Sequence, residues 1–192
     1  NDDGNIIDDT IVYTFDKKNF MLVPNASMIS KVFNWLLSKS KNFSVKVDNK
    51  SEDYFCIAVQ GPESLRLLRQ YLNVSISPFK LTKLDDLIIS GTGYTGEKGY
   101  EIIGPLSECL TVWQSFLDMG AIPIGLGARD TLRLEKGYLL SGTDFNGSQT
   151  TLESGYSWVI DWKHDFIGKE KLVSQKESGY ASLSGILLEE RG

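Results

Sequence analysis

Residues Ser90–Ile103 read SGTGYTGEKGYEII, and the glycine punctuation of this stretch decides how the rest of the chain is read. Gly93, Gly96 and Gly99 recur every third residue, so the backbone can take a positive φ or approach a ligand closely at each. The pattern predicts a turn that leaves a strand over Leu84–Ser90 and feeds another over Gly99–Ile103, with Tyr94 and carboxylates at its rim. A phosphate cradle does not fit. No Lys-Ser/Thr pair follows the last glycine, and Glu97 would repel phosphate. Gly91, Gly93 and Gly96 also match GxGxxG, but a strand follows them, so no helix N-terminus is on hand for a pyrophosphate.

Working outward, turn residues and apolar spacing predict strands over Thr10–Phe15 and Phe20–Pro24, then a helix over Ala26–Lys39 capped by Asn25. Strands over Phe43–Val47 and Tyr54–Val59 and a helix from Pro62 follow. After the glycine hairpin come a helix over Pro105–Asp118, a short strand in AIPIG, and a helix from near Gly127 that stops at Gly137. The tail predicts a strand over Tyr156–Ile160, a helix over Gly168–Gln175 and a closing strand over Ala181–Leu188. The ββα order recurs at 10–39, 43–71 and 84–118. This predicts an α+β fold of repeated ββα units with mostly antiparallel sheets, divided into lobes 1–50 and 51–192.

Composition narrows the function classes. A net charge of −5 and a pI near 5.0 supply no basic patch, so neither nucleic acid nor an anionic membrane is an expected partner. No run of 18 apolar residues or signal-peptide pattern occurs. The two cysteines, Cys56 and Cys109, lack zinc spacing and read as free, buried thiols of a reducing compartment. The one histidine, His164, sits in DWKHD with no GxSxG elsewhere, so it reads as a solvated turn residue. The chain starts at Asn1 and stops at LLEERG, and is expected to be a piece of a longer protein.

Three clusters combine charge with glycine or aromatics. Asp8-Asp9 opens a strand beside a glycine turn, as a solvated turn would or a paired-carboxylate site. Tyr94, Glu97 and Glu101 lie on the hairpin, with Glu101 at an outward-alternating position. In GLGARD, Arg129 sits in the first turn of a helix, where a cation opposes the macrodipole, so it is expected to answer an anion on a side chain or ligand. Arg133 and Glu135 read as helix surface pairs.

Taken in order, GNIIDDTIVY, VQGPES, GTGYTGEKGYEI, GLGARDTLRLEKGYLLSGTD, TLESGYSWVI and DFIGKEKL resemble the glycine cleavage system T-protein family, the tetrahydrofolate-dependent aminomethyltransferases. The resemblance implies a folate-binding aminomethyltransferase-like fold. It implies transfer of a one-carbon unit from the aminomethyl-lipoyl arm of H-protein to tetrahydrofolate, with ammonia released. Tetrahydrofolate would be a co-substrate, no metal would be needed, and the location would be the cytoplasm, or the mitochondrial matrix in a eukaryote. Asp9 would be the catalytic carboxylate. Glu101 would accept the paired N–H donors of the pterin, Arg129 would donate to the ligand, and Tyr94 would pack on it. Tyr13 and Asn25 match pocket positions, although Tyr13 also reads as a strand aromatic and Asn25 as a helix cap. The chain departs from the family pattern at Gly91, where Arg is usual, at Gly4-Asn5 in place of a glycine pair, and at Pro24. A folate-binding module without transferase activity and a folate-dependent demethylase are the alternative readings.

Overall fold

The computed structural model describes residues 1–186, which group into two compact units: Asn1–Val47 together with the chain from Leu139 onward, and Asp48–Tyr138. The first unit opens on a hairpin. β1 (Ile11–Thr14) pairs antiparallel with β2 (Phe20–Val23), Ile11 facing Val23 and Thr14 facing Phe20. Asp16 builds the connecting turn by accepting the backbone N–H groups of Lys18 and Asn19 at 2.7 and 2.9 Å. A short 3₁₀ turn, Ala26–Met28, then leads into α1 (Ile29–Ser40), which buries Val32.

The second unit is a four-stranded antiparallel sheet with α-helices packed on one face from Ser64–Leu72 and Cys109–Asp118. Its elements are β3 (Tyr54–Gln60), α2 (Ser64–Leu72), β4 (Leu81–Leu84), β5 (Leu87–Ser90), β6 (Gly99–Pro105), α3 (Cys109–Asp118) and α4 (Leu126–Lys136). The strand order is β3-β6-β5-β4. Strand periodicity of two sends Phe55, Ile57 and Val59 of β3, Tyr100 and Ile102 of β6 and Ile89 of β5 to one face. There they meet Leu67 and Leu68 of α2 and Val112 and Phe116 of α3. Each such buried side chain contributes about 1.5–3 kcal/mol. The same alternation sets Cys56, Ala58, Glu101 and Ser90 on the other face, with Ala58 opposite Glu101 and Glu101 opposite Ser90.

From Leu139 the chain rejoins the first unit. Asn5 bridges Thr150, and Ile6 N donates to Gln149 O at 2.9 Å. α5 (Lys169–Ser178) seats Leu172 so close to Gly4 that an added Cβ there would lie 3.1 Å from it. The expected second lobe, 51–192, differs from this grouping. Backbone hydrogen bonds from a loop, which leave no periodic trace in sequence, carry residues past Leu139 back to the N-terminal segment.

The α+β class with antiparallel sheets holds, but the detail differs in five places. The run Leu84–Ser90 is not one strand: Asp85-Asp86 makes a two-residue turn between β4 and β5, with Asp85 at φ 51°. Phe43–Val47 alternates like a strand yet joins neither sheet among the described residues, so the repeat at 43–71 has a single strand, whose partner is the distant β6. AIPIG is irregular, and Tyr156–Ile160 holds a 3₁₀ turn, Ser157–Val159. Residues 181–186 form no strand, and the last two positions of that expected element lie outside the described residues. Cys56 is exposed rather than buried, because it occupies an outward position of β3. No described helix is long and apolar enough to cross a membrane.

Candidate functional site

In the second unit the glycine stretch is a hairpin loop closed by Gln60, the last residue of β3. Gln60 Nε2 donates to the carbonyls of Thr92 and Tyr100 at 3.2 and 3.1 Å, and its Oε1 accepts the Thr95 hydroxyl at 3.2 Å. Its amide lies where a Cβ on Gly93 or Gly99 would have to be. These two glycines therefore make room for a protein side chain, not for a ligand. Gly96 is the one that needs a positive φ, 76°, and a Cβ there would come within 2.6 Å of the Lys136 side chain.

That closure presents Thr92 to Glu101. The Thr92 hydroxyl donates to the Glu101 carboxylate and also bonds Ser90 Oγ at 2.8 Å, with Ser90 and Thr92 themselves buried. Glu101, half-buried on β6, is thus fixed from one side by a hydroxyl chain. Arg129, in the first turn of α4, sets its guanidinium 4.6 Å from the centre of the Tyr94 ring. The Arg129 partner seen here is an aromatic face, a contact worth about 0.5–2 kcal/mol, whereas its position led one to expect an anion on a side chain or ligand. Tyr94 also stacks on Tyr138, the ring centres 5.9 Å apart and the planes 26° from parallel.

Cys56 reports on the same face. Desolvation and then the Glu101 charge push its thiol up to about 12, with Arg129 pulling the other way. Cys56 is therefore protonated at neutral pH. Both charges act on it, and strand register sets Glu101 on the same face of the sheet as Cys56.

Arg133, read from sequence as a surface residue, is the most buried charged side chain described, 2% exposed. Its Nε donates to Asp130 Oδ1 at 2.7 Å and its Nη1 to Tyr138 O at 3.0 Å. It thereby ties the end of α4 to the residue that stacks on Tyr94. The i, i+3 spacing from Asp130 was the available signal for it. Gln60 and Thr92 carried none, since their partners lie far along the chain or depend on the hairpin itself.

The remaining candidates lie in the first unit. Asn25 does not cap the helix that follows with its side chain. Instead its Nδ2 donates to Asp8 Oδ1 at 2.8 Å, Asp9 Oδ1 at 3.0 Å and Asp9 O at 3.3 Å, while its backbone N–H donates to Asp8 Oδ2 at 2.9 Å. Burial pushes the Asp9 carboxyl above the usual aspartate range, the Asn25 hydrogen bond pulls it back, and the Asp8 charge adds to the rise. Tyr13, on β1, is buried. The pair is not a solvated turn: both aspartates are half-buried and share one amide. Asp9, Tyr13 and Asn25 thus belong to one unit, and Tyr94, Glu101 and Arg129 to the other. A cavity of about 200 Å³ lined by Asp144, Phe145, Gln149, Glu153 and Leu183 includes none of the six. Among the described residues no three His, Cys, Asp or Glu side chains group to hold a metal ion.

Comparison with known proteins bears on the chain as a whole. An aminomethyltransferase of Pseudothermotoga lettingae is 44% identical over 189 residues, covering 93% of this chain and 52% of its own. One from Halothermothrix orenii is 42% identical over 204 residues, covering 100% of this chain and 57% of its own. The chain spans about half the length of the curated relatives it matches. The crystal structure of the glycine cleavage system aminomethyltransferase T from Bartonella henselae superposes with a TM-score of 0.84 at 27% identity, over 93% of this chain and 51% of that one. Residues 1–164 match the family model described as the GCVT N-terminal domain, and the chain belongs to that family.

Proposed function

We propose that this chain supplies the folate-binding face and the reactive carboxylate of an aminomethyltransferase of the glycine cleavage system. The observation that carries the reading is Glu101 held by Thr92 beside the glycine hairpin, in the same unit as an Arg129 guanidinium set over the Tyr94 ring. The chemistry of this set suits a reduced pterin. A carboxylate accepts the paired N–H donors of the 2-amino pyrimidine edge, a guanidinium donates to ligand oxygens, and an aromatic ring packs beside a flat heterocycle.

Transfer from an aminomethyl-lipoyl arm forms two carbon–nitrogen bonds at the folate and breaks the bonds from carbon to sulfur and to the departing amine. Two protons leave the folate nitrogens, one going to ammonia and one to the lipoyl sulfur. Asp9 is suited to move them, because burial and the Asp8 charge make its carboxylate a better proton acceptor than an exposed aspartate. In this reading Tyr13 and Asn25 shape the surroundings of Asp9, lipoylated H-protein delivers the carbon, and no metal takes part. The free thiols Cys56 and Cys109 fit a reducing location, the cytoplasm or a mitochondrial matrix.

Calorimetric titration of the intact protein with tetrahydrofolate tests the reading. We expect Glu101→Ala to weaken binding at least about tenfold, the loss of a charge-assisted hydrogen-bond pair. Asp9→Asn should keep binding and lose formation of methylenetetrahydrofolate from loaded H-protein. Binding that ignores Glu101→Ala would overturn it.

A further inference from the structure

We propose that Asp8 is a positioning residue for Asp9 and acts through Asn25: both Asp8 carboxylate oxygens are spent on fixing Asn25, and the amide so fixed is what holds the Asp9 carboxylate. The inference deepens, and rests on, the reading of Asp9 as the reactive carboxylate.

The geometry is asymmetric in a telling way. Asp8 takes two hydrogen bonds from one residue, the backbone N–H and the side-chain N–H of Asn25, at 2.9 and 2.8 Å. A carboxylate engaged at both oxygens by donors of one residue defines the orientation of that residue's side chain as well as its position. Asn25 Nδ2 carries two hydrogens. One goes to Asp8, and the other is shared between Asp9 Oδ1 at 3.0 Å and Asp9 O at 3.3 Å. Were the amide turned over, its oxygen would face two carboxylates, so the orientation is dictated by the acids themselves. The 3₁₀ turn after Asn25 needs none of this: it closes by Met28 N donating to Asn25 O at 2.8 Å. Besides burial, the Asp9 carboxyl feels the Asn25 hydrogen bond first, then the Asp8 charge, and last a hydrogen bond from its own backbone N–H, which no substitution in this region removes.

Two roles for Asp8 therefore oppose each other at Asp9. As a like charge it raises the affinity of Asp9 for a proton. As the anchor of Asn25 it preserves a hydrogen bond that lowers it. The two effects partly offset each other, on top of the burial that raises the Asp9 carboxyl. A residue present only to close the local turn would act on Asp9 by its charge alone.

A four-protein cycle separates these cases without any folate present. The Asp9 side-chain carboxyl is titrated by carbon NMR in the unsubstituted protein, in Asp8→Asn, in Asn25→Ala and in the double variant. Asn25→Ala should raise the Asp9 midpoint by about one pH unit, the size of a hydrogen bond to an ionised group. On that background Asp8→Asn removes charge only and should lower the midpoint by its full amount. On the Asn25 background the same substitution also loosens the amide, so the fall should be smaller by about half a unit or more. Equal falls on the two backgrounds would overturn the proposal, as would an Asp9 midpoint indifferent to Asn25→Ala. Should Asn25→Ala disturb the amide spectrum of the β1–β2 hairpin, Asn25→Leu, which keeps the volume and removes the donor, takes its place in the cycle. The proposed transfer is tested apart from this by Asp9→Asn, so a failed cycle and a failed functional reading give different results.

Discussion

Gln60 Nε2 donates to the carbonyl oxygen of Thr92 at 3.2 Å, joining the end of β3 to the loop that enters β6 from 32 residues further along. The same amide also binds Tyr100 O and accepts the Thr95 hydroxyl, so every polar atom of the Gln60 side chain is used within one loop. Gln60→Ala should destabilise the second unit by about 1–3 kcal/mol, since two carbonyls lose their donor and the space above Gly93 and Gly99 empties. Urea denaturation would measure it, and hydrogen exchange should show the amides of 93–99 opening first. Gln60→Glu should be no better, because it turns a second acceptor toward the carbonyls.

The raised Asp9 carboxyl has a signed consequence for stability. Its ionised form is disfavoured in the folded protein relative to the unfolded chain. The stability it allows is fully present below the unfolded value, 3.8, and is lost as pH rises through the folded value. Asp9→Asn should therefore raise the thermal midpoint at pH 7, remove the fall contributed by this residue above pH 3.8, and abolish transfer. Midpoints recorded across that range for the two proteins would check it. An unchanged slope would mean that Asp9 ionises as freely in the folded protein as in the unfolded one.

Much of the fold was legible in sequence where one element's own pattern suffices. The alternation of Tyr54–Gln60 and the helical spacing of Ile29, Val32, Phe33, Leu36 and Leu37 both reflect a side buried by neighbours. Phe43–Val47 has an equally clean alternation and fails, because a strand also needs a partner and hydropathy does not name one. LTKLDDLIIS shows the converse: the apolar run hides a turn that Asp85-Asp86 alone announces. For the site, Asp9 and Glu101 stood out as carboxylates in a motif. Their holders did not, since Asn25 resembles a helix cap in sequence and Thr92 is one threonine among glycines. Arg133 was misread because burial of a guanidinium depends on acceptors that only the folded end of α4 supplies.

Cys56 offers a chemical probe of the sheet face. Although exposed, its thiol is pushed up to about 12, so alkylation by iodoacetamide at neutral pH should be at least about tenfold slower than for a free cysteine, since the thiolate is the nucleophile. Glu101→Gln should speed the reaction by removing a charge that raises the thiol, and Arg129→Gln should slow it. Peptide mapping distinguishes Cys56 from Cys109. If neither substitution changes the Cys56 rate, the three residues do not share a field.

Gly91 stands where the local backbone leaves no room for a side chain. Gly91 N donates to Lys80 O at 2.9 Å and Phe79 N donates to Gly91 O at 3.0 Å, which draws Ser77 and Pro78 across the position where a Cβ would stand. Gly91→Arg, the residue the resemblance led one to expect there, should therefore destabilise this protein by about 1–3 kcal/mol. Its denaturation midpoint in urea would show the sign, and a neutral or stabilising result would mean that residues 77–80 move aside freely.

The return of the chain from Leu139 to the segment before Asp48 makes the second unit an insertion within the first. During synthesis, residues 48–138 leave the ribosome as a complete set while Gly4 and Asn5 still wait for Leu172 and Thr150. The inner module can thus reach its native sheet early, whereas the hairpin bearing Asp9 stays without its later neighbours until translation has passed α5. The segment just ahead of the acid pair would gain its long-range partners only after the inner module is already built.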